Sequence, residues 1–287
     1  MNRTPLSAQD MALSISIENL LVQRNPRQMQ TLQAALEPGY LARGASHLRG
    51  ASGIVIIGTG FPVTGTFETD GPAGAIALYN ALASLGATPM IACGPPLAHS
   101  LAADFTVLEL TEAEVLAASD FARTTLAELK PDAVVAIERP GLAVDGRYYN
   151  MRGDDISERC YCFDPFVTEA SCPTVAVGDG GNEIGMGNVL SALTALDIQP
   201  SVTPCDELLV TDVSNWGAYA LVAMLGYWVG RDLLAELSLL DVLNYLSRSG
   251  SVDGVTGVNT LTEDGMAVNA GLEVIAALRR LTKFLEA

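Results

Sequence analysis

Residues 173–188, Pro-Thr-Val-Ala-Val-Gly-Asp-Gly-Gly-Asn-Glu-Ile-Gly-Met-Gly-Asn, join a β-branched apolar run to a loop holding five glycines, two carboxylates and an asparagine. The run reads as a buried strand. The loop reads as backbone that turns sharply or closely approaches a ligand, because glycine loses more freedom on folding than any other residue. Asp179, Asn182 and Glu183 are therefore candidate site residues. The blander alternative is a long turn leading into a helix.

The same kind of run recurs along the chain. Strands are predicted near 53–58, 88–92, 105–109, 132–137, 173–177 and 207–212, with helices near 71–85, 112–129 and 187–197 between them. This alternation predicts an α/β fold with a mostly parallel, Rossmann-like sheet and helices on both faces. The first 50 residues read as a helical extension packed on the core, with a break at Asn25-Pro26. Thr111 and Glu114 suggest a capping box, and Asp212, Ser214 and Asn215 offer caps to a helix beginning near Trp216. Residues 266–285 read as a C-terminal helix with an apolar stripe of Val268, Leu272, Ile275, Leu278 and Leu281. A single domain over 1–287 is expected.

Composition narrows the function. Acidic residues outnumber basic ones by 33 to 16, a formal charge of −17, which argues against nucleic-acid or anionic-membrane partners. A small anionic substrate stays open, because fields fade beyond about 8 Å at physiological salt and local arginines decide binding. Residues 71–103 carry no charge, but prolines and glycines cut them into pieces shorter than the roughly 20 apolar residues of a membrane span. Residues 1–24 show no export signal, so a cytoplasmic protein is expected. The five cysteines show no paired spacing for a zinc cage or disulfide framework. Lys130 and Lys283 are the only lysines and neither follows a phosphate loop, so pyridoxal phosphate and ATP are not expected. Gly58-Thr59-Gly60 resembles the start of a dinucleotide fingerprint, but Val63 replaces its third glycine and NAD is not expected either. A homo-oligomer is compatible with the chain.

In parallel sheets ligands gather beyond the carboxyl ends of the strands. Four segments there share one character: 68–71, Glu138 with Arg139, 179–183, and Asp212 with Ser214 and Asn215. If the strands are neighbours, their carboxylates converge, and like charges then require cations, shared protons or arginine. The segment 145–153 reads as a loop over that cleft, with Arg147 and Arg152 available to grip a carboxylate.

Three segments carry a family resemblance: Ile137-Glu138-Arg139-Pro140-Gly141, Asp145-Gly146-Arg147-Tyr148-Tyr149-Asn150-Met151-Arg152-Gly153, and Gly178 to Gly187. Together with 58–61 and 68–72 they resemble the D-glutamate cyclase carboxyl-terminal domain family, over most of residues 50–270. In two-domain animal members this module follows another domain, whereas this chain reads as the module alone. The resemblance implies conversion of D-glutamate to 5-oxo-D-proline and water.

For that reaction Asp179 or Glu183 is the expected base, with Glu138 as a third catalytic carboxylate. Asp70 and Glu138 are the expected oxygen ligands if Mg²⁺ or Mn²⁺ takes part. Arg139, Arg147 or Arg152 would bind the substrate carboxylate, with Tyr149, Asn150, Asn182, Thr59, Gly60 and Asn215 lining the site. The glycine-rich amides would stabilise the oxyanion. A carboxylate- and metal-dependent hydrolase or lyase acting on another small acid, or a non-catalytic binding module, remain alternatives.

Overall fold

Six apolar runs pair into one parallel sheet in the computed structural model, which describes residues 5–286. In chain order they are β1 (Ile54–Thr59), β2 (Thr88–Cys93), β3 (Val107–Glu109), β4 (Ala133–Ile137), β5 (Thr174–Gly178) and β6 (Glu207–Val210). The order across the sheet is β3-β2-β1-β4-β5-β6. Chain direction across the sheet therefore reverses between β1 and β4, the place where doubly wound folds open a crevice. β4 and β5 are buried along their whole length, so they read as unbroken apolar runs without alternation.

Seven longer helices surround the sheet: α1 (Ala8–Leu21), α2 (Tyr40–Leu48), α3 (Pro72–Ser84), α4 (Val115–Leu129), α5 (Ser214–Val229), α6 (Leu239–Arg248) and α7 (Val268–Leu281). On one face α5 contacts both α2 and α3, and all three contact the strands beneath them. On the other, α4 packs with the short helix Asp164–Thr168, as right-handed crossovers from a central reversal require. Every residue of α5 from Ser214 to Gly226 is buried, which explains its lack of charge. Among the described residues no helix is long and apolar enough to cross a membrane.

Several local expectations are corrected. The segment near 187–197 is helical only as a 3-10 turn, Met186–Val189, and one turn of helix, Leu190–Leu193. The Thr111 hydroxyl bonds the Glu112 carboxylate, and α4 starts at Val115 without a side-chain cap. Asp212 does not cap α5: its carboxylate accepts the N–H groups of Arg24 and Asn25, at 2.7 and 3.0 Å, and so anchors the N-terminal segment. Of the expected α7 stripe, Ile275 and Leu278 are buried and Val268 and Leu281 pack partly buried against the core, but Leu272 is 44% exposed, and Gly271 and Val274 complete the buried face. Gly271 lets this face approach closely, since an added Cβ there would stand 2.1 Å from a Glu263 carboxylate oxygen. A small hairpin, Pro62–Val63 with Thr66–Phe67, was not anticipated and fills the β1–α3 connection.

The α3–α5 contact depends on Gly74, where a Cβ would lie 2.8 Å from the Ala218 Cβ and 3.0 Å from the Asn215 Cα. Overpacking of this kind costs about 1–3 kcal/mol. Gly74→Ala is expected to lower the unfolding free energy by that amount in urea titrations. An unchanged midpoint would mean that the two helices part freely.

Candidate functional site

The first N–H groups of α5 point at the carboxyl ends of the central strands. Ser214 donates its N–H to Asp70 Oδ2 at 3.0 Å and to Asp179 Oδ2 at 3.1 Å, and Asn215 donates its own to Asp70 Oδ1 at 2.8 Å. The Ser214 hydroxyl donates to Glu138 Oε2 at 2.5 Å. A helix N-terminus carries unpaired donors and a partial positive charge, so it is a natural seat for carboxylates. One oxygen each from Asp70, Glu138 and Asp179 lies within 4.8 Å of the others, and all three residues are buried.

Each acid reaches this point by its place in the sheet. Glu138 follows β4 directly and takes a left-handed φ of +46°, a costly conformation for a non-glycine residue. Asp179 follows β5. Asp70 precedes α3 through Gly71, whose φ of +89° favours glycine. Asn215 locks that turn, its Oδ1 accepting from Gly71 N–H at 2.9 Å and Gly74 N–H at 2.7 Å. Beneath, Glu263 accepts from Tyr219 OH at 2.7 Å, Asn215 Nδ2 at 3.1 Å and Trp216 Nε1 at 3.4 Å.

A cavity of about 270 Å³ opens over these acids. Glu138, Asp179 and Asn182 line it, with Glu68 and Asp264 as further acids and Arg27, Arg152 and Arg159 as cations. The Arg27 guanidinium pairs with both Asp179 and Asp264. Burial works against its charge, but Asp179, Glu138, Glu183 and Asp70 outweigh that and hold it protonated. Burial raises the acids: Asp70 to about 6, Asp179 to about 7 against the pull of Arg27, and Glu68 to about 8 with help from Asp179. Glu138 is pushed well above the usual carboxylate range by burial and by the neighbouring acids, Asp179 foremost.

Other expected residues sit differently. Both Glu183 oxygens are taken by backbone, accepting from Asp179 N–H at 3.1 Å, Gly180 N–H at 2.6 Å and Gly181 N–H at 2.6 Å. Glu183 thus shapes the loop from behind, and these amides do not face the cavity as oxyanion donors. Burial, with Asp179 nearby, raises Glu183 to about 7. Arg139 is buried and spends its guanidinium on the carbonyls of Thr59, Gly60 and Tyr161, so it offers no grip inside the cavity. Gly60 and Thr59 face that arginine in a small adjoining cleft. Arg147 is exposed and pairs with Asp155, and the Tyr149 hydroxyl bonds Asp145. Asn150 lines the cavity while its Oδ1 orders the loop through Arg152 and Asp154 N–H groups. Asn182 holds that loop down by donating to the Tyr149 carbonyl at 2.7 Å. Asn215 stands beneath the floor.

Reasoning from strand ends missed Arg27 and Asp264, which come from before and after the sheet, and Arg159. No local pattern marks Arg27. Asp264-Gly265 carries a turn signal, and Asp264 takes a φ of +52° between Thr262–Glu263 and Met266–Ala267.

The profile of the family described as D-glutamate cyclase-like, C-terminal, matches residues 17–279. The human protein D-glutamate cyclase, mitochondrial, is 34% identical over 198 residues, covering 60% of this chain and 32% of that protein. The chain therefore matches about a third of that relative's length. Among solved structures, an exopolyphosphatase-related protein from Bacteroides fragilis aligns over 88% of this chain and 62% of its own, with TM-score 0.41 and 10% identity. L-Sorbose reductase from Gluconobacter frateurii aligns over 83% and 94%, with TM-score 0.28 and 12% identity. At those scores neither likeness bears on the site.

The raised acids fix a pH dependence. Unfolded carboxyls titrate near about 4, whereas Asp70, Asp179, Glu183 and Glu68 hold their protons to about 6, 7, 7 and 8 in the fold. Between those limits the native state binds more protons than the unfolded one, so stability falls as pH rises. Thermal midpoints are expected to drop from about pH 5 to about pH 8, and Glu68→Gln to flatten the upper part of that slope. A midpoint rising over the same range would contradict these protonation states.

Proposed function

Because the chain belongs to the D-glutamate cyclase-like C-terminal family, we propose that its cavity takes D-glutamate and closes it to 5-oxo-D-proline with loss of water. The observation that carries this reading is a charge pattern matched to an amino dicarboxylate. Glu138 and Asp179, backed by Asp70, form an acidic floor suited to an ammonium group, while Arg152 and Arg159 stand at the exposed wall, suited to carboxylates.

The reaction forms one C–N bond and breaks one C–O bond. Two protons leave the substrate nitrogen and two arrive at the departing oxygen, which becomes water. At neutral pH the substrate amine is protonated and its side-chain carboxyl is not, which is the wrong state for both partners. Acids poised near neutrality correct both. Asp179, at about 7, is suited to take a proton from the ammonium. Glu138, held protonated and with Oε1 free of a hydrogen-bond donor, is suited to give one to the carboxyl oxygen. Its exchange with Asp179, within the same cluster, carries the nitrogen's protons to the leaving oxygen.

Arginine contacts at the wall would curl the five-carbon chain so that the nitrogen meets the side-chain carboxyl. Favourable positioning of this kind supplies up to about 7–11 kcal/mol of the barrier. Glu183 is assigned the shaping of the 179–183 loop rather than proton transfer, because its oxygens are already occupied.

An NMR time course with D-glutamate, and L-glutamate as control, tests the reading. 5-Oxo-D-proline is expected to appear, with Glu138→Gln lowering kcat by about 10²–10⁴-fold. Arg152→Ala is expected to raise KM about 10–100-fold, the loss of one hydrogen bond between charged groups. Saturable binding of D-glutamate without product would make the chain a binding module instead. Turnover of another small acid in place of D-glutamate would support the hydrolase or lyase alternative.

A further inference from the structure

Glu68, Glu138, Asp179 and Asp264 are the acids lining the cavity, and all but the first are already engaged. Asp179 meets Arg27 through Oδ1 and the Ser214 N–H through Oδ2, Asp264 meets Arg27, and Glu138 takes the Ser214 hydroxyl on Oε2. Glu68 differs: no donor and no ion-pair partner among the described residues reaches its carboxyl. Its place in the cavity costs that carboxyl part of its hydration with no hydrogen bond in return, and a ligand's donors would restore it.

The backbone of Glu68, by contrast, is fixed. Its N–H donates to the Phe61 carbonyl at 3.1 Å. It also bridges in parallel to Val252, which donates to the Phe67 carbonyl at 3.0 Å and accepts the Thr69 N–H at 2.9 Å. Gly254, on the same cavity wall, leaves room for the side chain: a Cβ built there would stand 2.5 Å from Glu68 Oε2 and 2.9 Å from Oε1. The chain thus fixes the root of this side chain and clears space at its tip, while no part of the fold bonds the tip itself.

We propose that Glu68 selects a primary ammonium group in this cavity, so that the substrate class is a free amino dicarboxylate rather than a dicarboxylate without nitrogen or an N-acylated one. The assignment rests on the cyclase reading, in which the substrate nitrogen lies over Glu138 and Asp179. An ammonium carries three N–H donors. Glu138 and Asp179 offer acceptors at the floor, and Glu68 adds another from the connection between β1 and α3. Either protonation state of Glu68 presents acceptor lone pairs, and an arriving cation favours the ionised one. Glutarate, with the same five carbons and both carboxyls but no nitrogen, lacks what Glu68 recognises.

The test is calorimetric titration of the full chain with D-glutamate and with glutarate, in the cold where turnover is slow, alongside the NMR assay for 5-oxo-D-proline. Wild type is expected to bind D-glutamate more tightly than glutarate. Glu68→Gln should weaken D-glutamate about 10–100-fold, the loss of one hydrogen bond to a charged group, and leave glutarate binding unchanged or tighter. Gly254→Ala, whose added methyl displaces the Glu68 carboxyl, should show the same selective loss and keeps the test open if Glu68→Gln does not fold. Undiminished D-glutamate binding by the folded variants, an equal loss for both ligands, or equal binding of both by wild type would overturn the assignment. A selective loss without 5-oxo-D-proline formation would keep the ammonium contact and remove the cyclase reading. Cyclisation by wild type with KM unchanged in Glu68→Gln would do the reverse, and wild type that binds neither ligand would remove both.

Discussion

The seating of buried carboxylates on the N-terminus of α5 is the constraint from which the rest of the site follows. Two consecutive N–H groups and one hydroxyl, from Ser214 and Asn215, reach three acids that arrive from three different loops. Without those donors the acids would be buried close together with only Arg27 to offset them, and like charges at such separations cannot all remain ionised. The helix end offers fixed donors that need no reorganisation when a charged ligand arrives. It also explains why α5 is so deeply buried. Its first turn has to reach the centre of the sheet, so its body must pass through the core.

That first turn is itself held by a further layer. Glu263 accepts from Asn215, Trp216 and Tyr219, and Asp253 organises the loop in front of it, accepting from Val255, Thr256 and Gly265 N–H groups and from the Thr262 hydroxyl. Acids in this protein therefore play two roles that composition cannot separate. Glu263, Asp253 and Glu183 are saturated by donors and act as struts. Glu138 and Glu68 line the cavity with oxygens that no protein donor takes up, and Asp179 lines it while paired with Arg27 and Ser214. The surplus of 33 acids over 16 basic residues reflects both uses.

The architecture was legible because β-branched runs such as Val134-Val135-Ala136-Ile137 are buried on both faces and alternate with helical patterns. The convergence of Glu138, Asp179 and Asp70 was legible for the same reason, since each directly follows a strand or precedes a helix near the sheet reversal. What could not be read was direction. Arg139 and Glu183 stand beside true cavity residues in sequence, yet their side chains turn to backbone partners that the spacing does not reveal. Cap signals at Thr111 and Asp212 failed because other partners, the neighbouring Glu112 carboxylate and the distant 24–25 backbone, engage the same side-chain oxygens. Arg27 and Asp264 were invisible because they meet only in three dimensions.

The pairing of Arg27 with both Asp179 and Asp264 has a consequence for the order in which the protein is made. During synthesis the strands that carry Glu138 and Asp179 emerge well before residues 253–264, yet the front wall of the cavity and the second anchor of Arg27 belong to that late segment. The cavity wall thus depends on contacts between segments far apart in the chain, a class of contact that forms slowly.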